Sequence, residues 1–304
     1  MQNDLVQTKG LSKKYGRKFA LKNVNIHIKQ GEIYGLIGRN GAGKTTFMKC
    51  INGQIIPTEG EIFIDGKPYK AQKDIRIGSL VESPSLYDDC SAYENLMYKC
   101  IALNVQDKKR HINTLLELVE LKSAGNKKAK QYSLGMKQRL GLALAMVSMP
   151  KILMLDEPIN GMDPQGIADI RKTIVNINRN FKTTVIISSH ILDELAKFAT
   201  RYGIIKDGEL ITEFTRENLE SENFSSVTIK SPRIKEVYDC LKEPYKLGPE
   251  NLINENTLII KDGAKKHREI SRLLYEKDIY LEEFRADHMS LEEYFMNLTG
   301  GEKL

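Results

Sequence analysis

The chain has 304 residues, 41% of them hydrophobic, enough for one large domain and a smaller one with ordinary globular cores. No apolar run reaches the roughly 18 residues needed to span a bilayer, and Met1-Gln2-Asn3-Asp4 lacks the basic-then-apolar start of a secretion signal, which argues against membrane-embedded and secreted classes and leads us to expect a cytoplasmic protein. The net charge of +6 gathers in Lys127-Lys128-Ala129-Lys130 and Lys265-Lys266-His267-Arg268, which read first as solvated faces and second as contacts for anionic headgroups or nucleic acid; no RNA- or DNA-binding motif supports nucleic acid as a partner. The cysteines at 50, 90, 100 and 240 have neither metal-site spacing nor disulfide density and are expected as free thiols.

From the N-terminus, Leu5-Val6-Gln7-Thr8 and Val24-Asn25-Ile26-His27-Ile28 alternate apolar and polar residues as half-exposed strands do, with Lys13-Lys14-Tyr15-Gly16 expected between them as a loop. On position alone Tyr15 reads first as a packing tyrosine and second as a ring on which a base could stack. Ile33-Tyr34-Gly35-Leu36-Ile37 suits a buried parallel strand, and Thr45-Thr46-Phe47-Met48-Lys49-Cys50-Ile51 has the spacing of a helix with one face inward. Between them, Gly38-Arg39-Asn40-Gly41-Ala42-Gly43-Lys44-Thr45 completes the phosphate-binding pattern of Gly, four residues, Gly-Lys-Ser/Thr in its strand, turn, helix context. Backbone N–H groups of Gly41 to Thr45 can converge there on phosphate oxygens, aided by the positive end of the helix, and Gly41 and Gly43 let the main chain come close because they lack Cβ. Lys44 is expected to reach β- and γ-phosphates and the Thr45 hydroxyl to ligate Mg²⁺. A glycine-rich turn with a surface lysine is the plainer alternative.

Ile62-Phe63-Ile64-Asp65-Gly66-Lys67 reads as a strand and turn, and Ile77-Gly78-Ser79-Leu80-Val81-Glu82 as a strand that stops at an acid before Ser83-Pro84. From Ser91 to about Glu120 the pattern turns helical, with Leu115, Leu116, Leu118 and Val119 expected on an inward face, a helical insertion in an otherwise α/β chain. Tyr132-Ser133-Leu134-Gly135-Met136-Lys137-Gln138-Arg139 opens an alanine- and leucine-rich helix with Ser133 at its N-cap. Ile152-Leu153-Met154-Leu155 then ends in Asp156-Glu157-Pro158, placing two carboxylates at the carboxyl end of a buried strand, where open α/β sheets bind ligands. Downstream of a phosphate cradle, Asp156 belongs on Mg²⁺, usually through water, and Glu157 is placed to take a proton from an attacking water; a solvated acidic turn is the alternative. His190 ends a further buried strand, Thr183-Thr184-Val185-Ile186-Ile187-Ser188-Ser189, and reads as a γ-phosphate contact because its position repeats that of Asp156, with a structural histidine as the alternative.

Over about residues 5–215 these motifs, in this order and spacing, resemble the ATP-binding subunit of an ATP-binding-cassette transporter. Tyr15 falls at that family's adenine-stacking aromatic, Gly38 to Thr45 at Walker A, Ser133 to Met136 at the signature motif, Leu153 to Glu157 at Walker B, Gly161-Met162-Asp163 at the D-loop and His190 at the switch histidine. The resemblance implies that ATP is held by Tyr15, by Gly38, Asn40, Gly41, Ala42, Gly43, Lys44, Thr45 and Thr46, and by Ser133, Gly135 and Asp163 of a second copy; that Thr45, Glu82 and Asp156 serve Mg²⁺; and that Glu157, His190 and Lys44 are catalytic. Two copies would close head to tail on ATP, and a membrane-spanning permease would be another polypeptide, holding this chain on the inner face of the membrane. Two departures stand out: the signature reads Ser-Leu-Gly-Met, and the position usually held by the Q-loop glutamine holds Glu82. Both are similar to the subgroup exporting bacitracin and lantibiotic peptides, as are Tyr34-Gly35 before Leu36, the phrase Ser188-Ser189-His190-Ile191-Leu192-Asp193-Glu194, and the tail Ser290-Leu291-Glu292-Glu293-Tyr294-Phe295 through Leu298-Thr299-Gly300.

The expected fold is therefore α/β: a P-loop NTPase core with an antiparallel β subdomain and a helical insertion at about residues 88–150, together making a nucleotide-binding domain over 1–217, followed by a small α+β accessory domain over 218–304. In that last region Ser226 to Lys230 and Leu258 to Lys261 read as strands and Lys266 to Tyr275 as a helix, with no catalytic constellation, so regulation or dimer support is left by elimination. A GTPase would need Asn-Lys-x-Asp, and Asn126-Lys127-Lys128-Ala129 lacks the acid. A soluble, non-transport cassette ATPase is the remaining alternative; the chromosome-maintenance kind needs long heptads and the ribosome-associated kind a second cassette.

Overall fold

Alternating apolar and polar residues at the N-terminus build an antiparallel layer in the computed structural model, which describes residues 4–69, 76–81, 84–220, 225–261, 266–288 and 290–299. Glu82, Ser83, Lys265 and Gly300 lie outside the described residues. In the first layer β1 (Asp4–Tyr15) pairs with β2 (Lys18–Val24) and β3 (His27–Lys29). β4 (Ile33–Ile37), buried at every position, begins a second sheet and runs through the glycine-rich loop into α1 (Lys44–Ile51). β5 (Glu59–Ile64) and β6 (Lys67–Pro68) return to the antiparallel sheet, whose order is β2-β1-β5-β6 with β3 also on β1.

The helical insertion follows β7 (Ile77–Leu80) and comprises α2 (Ala92–Ala102), α3 (Lys108–Leu118) and α4 (Leu134–Met146). Each begins where a side chain satisfies first-turn N–H groups: Ser91 and Glu94 form a reciprocal capping box at α2, Asp107 caps α3 and Ser133 caps α4. The chain then lays down β8 (Ile152–Asp156), α5 (Pro164–Phe181), β9 (Thr184–Ser189), α6 (Leu192–Ala196), β10 (Arg201–Lys206) and β11 (Glu209–Thr215). The second sheet has the order β11-β10-β4-β9-β8-β7, with β10, β4, β9, β8 and β7 parallel. The near-continuous apolar runs of β4, β8 and β9 are what a sheet buried on both faces requires. Phe47, Met48 and Ile51 of α1 share a core with Leu36, Ile152, Met154 and Ile186, and each such side chain contributes about 1.5–3 kcal/mol on burial. That packing fixes the start of α1 against the carboxyl ends of β4, β8 and β9.

The chain divides between Phe214 and Thr215 into two compact units. The second contains α7 (Arg216–Glu220), β12 (Ser225–Lys230), α8 (Ile234–Tyr245), β13 (Leu252–Asn254), β14 (Thr257–Lys261), α9 (His267–Glu276), β15 (Glu283–His288) and α10 (Leu291–Thr299). From β12 to β15 the order is strand, helix, two strands, helix, strand, and the sheet reads β13-β14-β12-β15 with antiparallel pairs, the split βαβ arrangement. Val227, Ile229, Leu258 and Ile260 meet Val237 and Leu241 of α8 and Ile270 and Leu274 of α9 in its core.

Three expectations are corrected. Lys13-Lys14-Tyr15 is strand rather than loop: Lys14 pairs with Phe19 and Tyr15 with Lys18, and the turn falls at Gly16-Arg17. The lysines are accommodated because their ammonium groups lie over the rings of Tyr15 and Phe19 at 5.2 and 5.1 Å, keeping charge wet while the stems cover the strand. Val24 to Ile28 is two strands rather than one, because the buried Thr8 hydroxyl enters the ladder at the break, donating to Val24 O and accepting from Ile26 N–H, both at 2.9 Å. Leu118 is half-buried, while Leu115, Leu116 and Val119 are buried and Ile112 completes the inward face of α3.

Candidate functional site: the glycine-rich cradle and the carboxylates behind it

The loop from Gly38 to Gly43 is shaped by close approaches. A Cβ on Gly38 would stand 2.4 Å from Ile205 O, and one on Gly43 would stand 2.6 Å from Ala20 O at a φ of +113°, which L side chains rarely adopt. Buried Ala42 anchors the loop, its carbonyl accepting from Gly208 N–H at 2.9 Å. Gly43 is the N-cap of α1 and brings no side chain to the first-turn N–H groups, which leaves them to a ligand at the positive end of the helix. Asn40, Gly41, Gly43, Lys44, Thr45 and Thr46 line one cleft of about 150 Å³ together with Asp156 and Glu157.

Lys44 is buried, and its ammonium donates to Gly38 O at 2.6 Å and to Arg39 O at 3.3 Å while standing 3.3 Å from Glu157 Oε1, an ion-pair contact without hydrogen-bond geometry. The Thr45 hydroxyl donates to Asp156 Oδ2 at 2.6 Å, and the Ser188 hydroxyl donates to Asp156 Oδ1 at 2.5 Å. Glu157 has a left-handed φ of +49°, and its N–H donates to Ser188 Oγ at 2.9 Å. Its Oε2 lies 2.7 Å from His190 Nδ1. A carboxylate only accepts, so Nδ1 carries the hydrogen and the ring stays oriented by Glu157. A cation, a hydroxyl, two carboxylates and an imidazole thus meet at the open end of a helix. Such a set can neutralise phosphate charge and deprotonate water. For a magnesium ion the donor set fits: Thr45 and Asp156 offer hard oxygens side by side, and Mg²⁺ is ordinarily held by one or two carboxylates with phosphates and waters. Among the described residues there is no cluster of three or more His, Cys, Asp or Glu side chains that would hold a metal without such help.

Ser133, Gly135 and Asp163 are not at the cradle. They line a separate cleft of about 460 Å³ with Leu134 and Arg139, where Ser133 Oγ accepts from Met136 N–H at 3.3 Å and Asp163 Oδ1 from Gly166 N–H at 3.2 Å. Tyr15 lines neither cleft and is half exposed, 52%. Glu82 lies outside the described residues. Sequence reasoning passed over Ala20, whose carbonyl closes the cradle against Gly43, and Ser188. The signal for Ser188 was present, a hydroxyl at the end of the apolar run Val185-Ile186-Ile187. The four cysteines are free, and among the described residues no helix is long and apolar enough to cross a membrane.

The sequence profile of the family described as "ABC transporter" matches residues 21–160. An uncharacterized ABC transporter ATP-binding protein of Bacillus subtilis, YcbN, is similar at 38% identity over 99% of this chain and 98% of its own length. The bacitracin transport ATP-binding protein BcrA of Bacillus licheniformis is 35% identical over 98% of both chains, and the lantibiotic transport ATP-binding protein SrtF of Streptococcus pyogenes is 41% identical over 73% of this chain and 95% of its own. Among solved structures, a post-hydrolysis dimer of the ATP-binding cassette MJ0796 bound to ADP and Pi superposes with a TM-score of 0.62 at 27% identity, covering 69% of this chain and 98% of that one. With the cradle, the paired carboxylates and full-length relatives in agreement, the chain belongs to the ABC transporter family as an ATP-binding, ATP-hydrolysing subunit.

Proposed function

We propose that this subunit hydrolyses ATP at two composite sites of a head-to-tail homodimer, and that the cycle drives a separate membrane permease exporting, or conferring resistance to, an antimicrobial peptide of the bacitracin or lantibiotic kind. The observation that carries the composite site is the separation of clefts: the cradle and its carboxylates stand in one, and Ser133 and Gly135 in another, so one subunit alone presents two half-sites. The dimer of the MJ0796 cassette supports pairing. The likeness to BcrA runs through both compact units, which supports the peptide class.

In this reading Tyr15 stacks on adenine and the N–H groups from Gly41 to Thr46 bind the phosphates, with Asn40 and Ala42 shaping the loop. Lys44 exchanges its contacts with Gly38 O and Glu157 for the β- and γ-phosphates. Thr45 and Asp156 would hold Mg²⁺, with Glu82 as a further ligand from its Q-loop position in the sequence, and the ion would supply neutralisation of phosphate charge. Glu157 accepts the proton of the attacking water, and His190 orients that carboxylate and faces the γ-phosphate. Ser133 and Gly135 of the second copy present the start of α4 to the same phosphate, with Asp163 beside them. The permease keeps the subunit on the cytoplasmic face of the membrane, and residues beyond Phe214 support the dimer or regulate it.

Complementation tests the composite site. Gly135 has open space where a Cβ would stand, so Gly135→Asp should fold while repelling phosphate; Lys44→Ala spoils the cradle instead. Each variant alone should be inactive. Mixed dimers keep one intact site, formed by the Gly135→Asp cradle and the Lys44→Ala signature, so mixing should restore turnover. No recovery on mixing two folded variants counts against the sandwich. Purification of the subunit with a membrane permease, and peptide-specific sensitivity on its deletion, tests the transport reading.

A further inference from the structure

Ser188 is a buried hydroxyl that follows the apolar run Val185-Ile186-Ile187 in the middle of the sheet. β9 lies between β4 and β8, its Val185, Ile186 and Ile187 are fully buried, and so is Ser188, facing Leu36 on one side and Asp156 on the other. A hydroxyl taken out of water in such a position is destabilising unless paired. Here it is paired twice, and both partners belong to the site. Its O–H donates to Asp156 Oδ1 at 2.5 Å, in the range of charge-assisted hydroxyl–carboxylate bonds, and its oxygen accepts the Glu157 N–H at 2.9 Å.

We propose that Ser188 is a positioning residue for hydrolysis, which sets the orientation of the Asp156 carboxylate and the backbone of Glu157 together. The inference rests on the reading of Asp156 and Glu157 given above. Asp156 is gripped at both oxygens, Oδ2 by Thr45 and Oδ1 by Ser188, so its carboxylate plane is fixed before nucleotide arrives. When Thr45 turns its oxygen to a cation, the Ser188 bond is the one that persists. Glu157 has a φ of +49°, a conformation most residues avoid, and the Ser188 acceptor fixes the direction of its N–H. From that backbone the side chain reaches His190 and Lys44. One hydroxyl therefore links the oxygen that would serve the metal to the residue that would take the proton. Supporting groups behind metal-binding residues typically change affinity or activity 10–100-fold when removed.

The test uses the full chain with Ser188→Ala, Ser188→Thr and Asp156→Asn, singly and, for Ala with Asn, combined. Ser188→Ala should lower kcat about 10–100-fold and raise the Mg²⁺ concentration for half-maximal ATP binding about tenfold, while ATP affinity in chelator stays within about twofold of the parent. Ser188→Thr, which keeps the hydroxyl, should recover most of both losses. Ser188→Ala on Asp156→Asn should add less than it removes from the parent, because part of its effect passes through the Asp156 carboxylate and only the part through the Glu157 N–H remains. Parent-like kcat and Mg²⁺ half-saturation in a cooperatively unfolding Ser188→Ala protein overturns the proposal, as does full additivity with Asp156→Asn. A parent chain that neither binds nor hydrolyses ATP overturns the site reading itself and this inference with it.

Discussion

Replacing Glu157 by glutamine keeps the side chain's shape and removes its charge and its capacity to take a proton. Without nucleotide, Glu157 pairs with His190 at 2.7 Å and Lys44 at 3.3 Å with its side chain only 21% exposed, so these contacts are weakly screened. Losing a charged partner there should destabilise the first unit by about 1–3 kcal/mol, because Lys44 keeps the carbonyls of Gly38 and Arg39. With nucleotide the sign reverses. In the proposed mechanism this removes a negative charge beside the γ-phosphate, so ATP should bind at least as tightly as to the parent. Turnover should fall about 10²–10⁴-fold, which is about 2.7–5.4 kcal/mol of barrier. Phosphate release, ATP calorimetry and thermal unfolding on one preparation separate the effects: lower melting temperature without ATP, undiminished affinity, and lost turnover. Gel filtration with ATP and Mg²⁺ should then show a stable dimer. Turnover within about threefold of the parent would refute Glu157 as the base, and loss of turnover matched by loss of affinity would place the damage in binding.

If the half-exposed Tyr15 stacks on adenine, Tyr15→Ala should weaken ATP binding by roughly 1–3 kcal/mol and Tyr15→Phe should be nearly silent; equal damage from both, measured by calorimetry, would assign the hydroxyl a role instead. Gly43→Ala places a Cβ 2.6 Å from Ala20 O at a φ of +113°, so it should lower stability by about 1–3 kcal/mol and abolish nucleotide binding, checked by denaturant unfolding and calorimetry. Burial pushes the Cys50 thiol up to about 11, so at about pH 8 a thiol reagent should modify half-exposed Cys90 while Cys50 resists until α1 opens in denaturant. The unfolded thiol ionises near about 8.5. The folded form therefore stays neutral while the unfolded one charges, and stability should erode as pH rises from there toward 11, an effect Cys50→Ala should remove.

The parts of this fold legible in the sequence are those where one local rule decides. Ile33 to Ile37 and Ile152 to Leu155 are too apolar for anything but buried strands, the glycine pattern before Lys44 admits only a tight strand-to-helix turn, and Ser133 announces a helix start; all three stand in the structure. What was not legible depends on partners distant in the chain. Lys13 and Lys14 look like loop residues until β2 supplies Phe19 and a register, and the break at Asn25 follows from a hydroxyl at Thr8, 16 residues before Val24. The same holds at the site. Lys44, Thr45, Asp156 and Glu157 carry their chemistry in motifs, whereas Ala20 and Ser188 act through a carbonyl and a hydroxyl whose targets only the fold brings near. Strand order in the second unit likewise follows from pairing that no single stretch encodes.

If the loop from Gly38 to Thr45 is the place where ATP phosphate is bound and cleaved, turnover depends on Lys44. The most direct measurement is the initial rate of phosphate release from ATP and Mg²⁺ by the purified chain and by Lys44→Ala, with cooperative unfolding of both verified. Lys44 is buried against the carbonyl of Gly38 and 3.3 Å from Glu157, and among the described residues the one other cationic residue lining that cleft is Arg39, whose carbonyl also accepts from Lys44. Turnover is expected in the parent and none measurable in a folded Lys44→Ala protein; equal rates in the two would contradict phosphate cleavage at this loop.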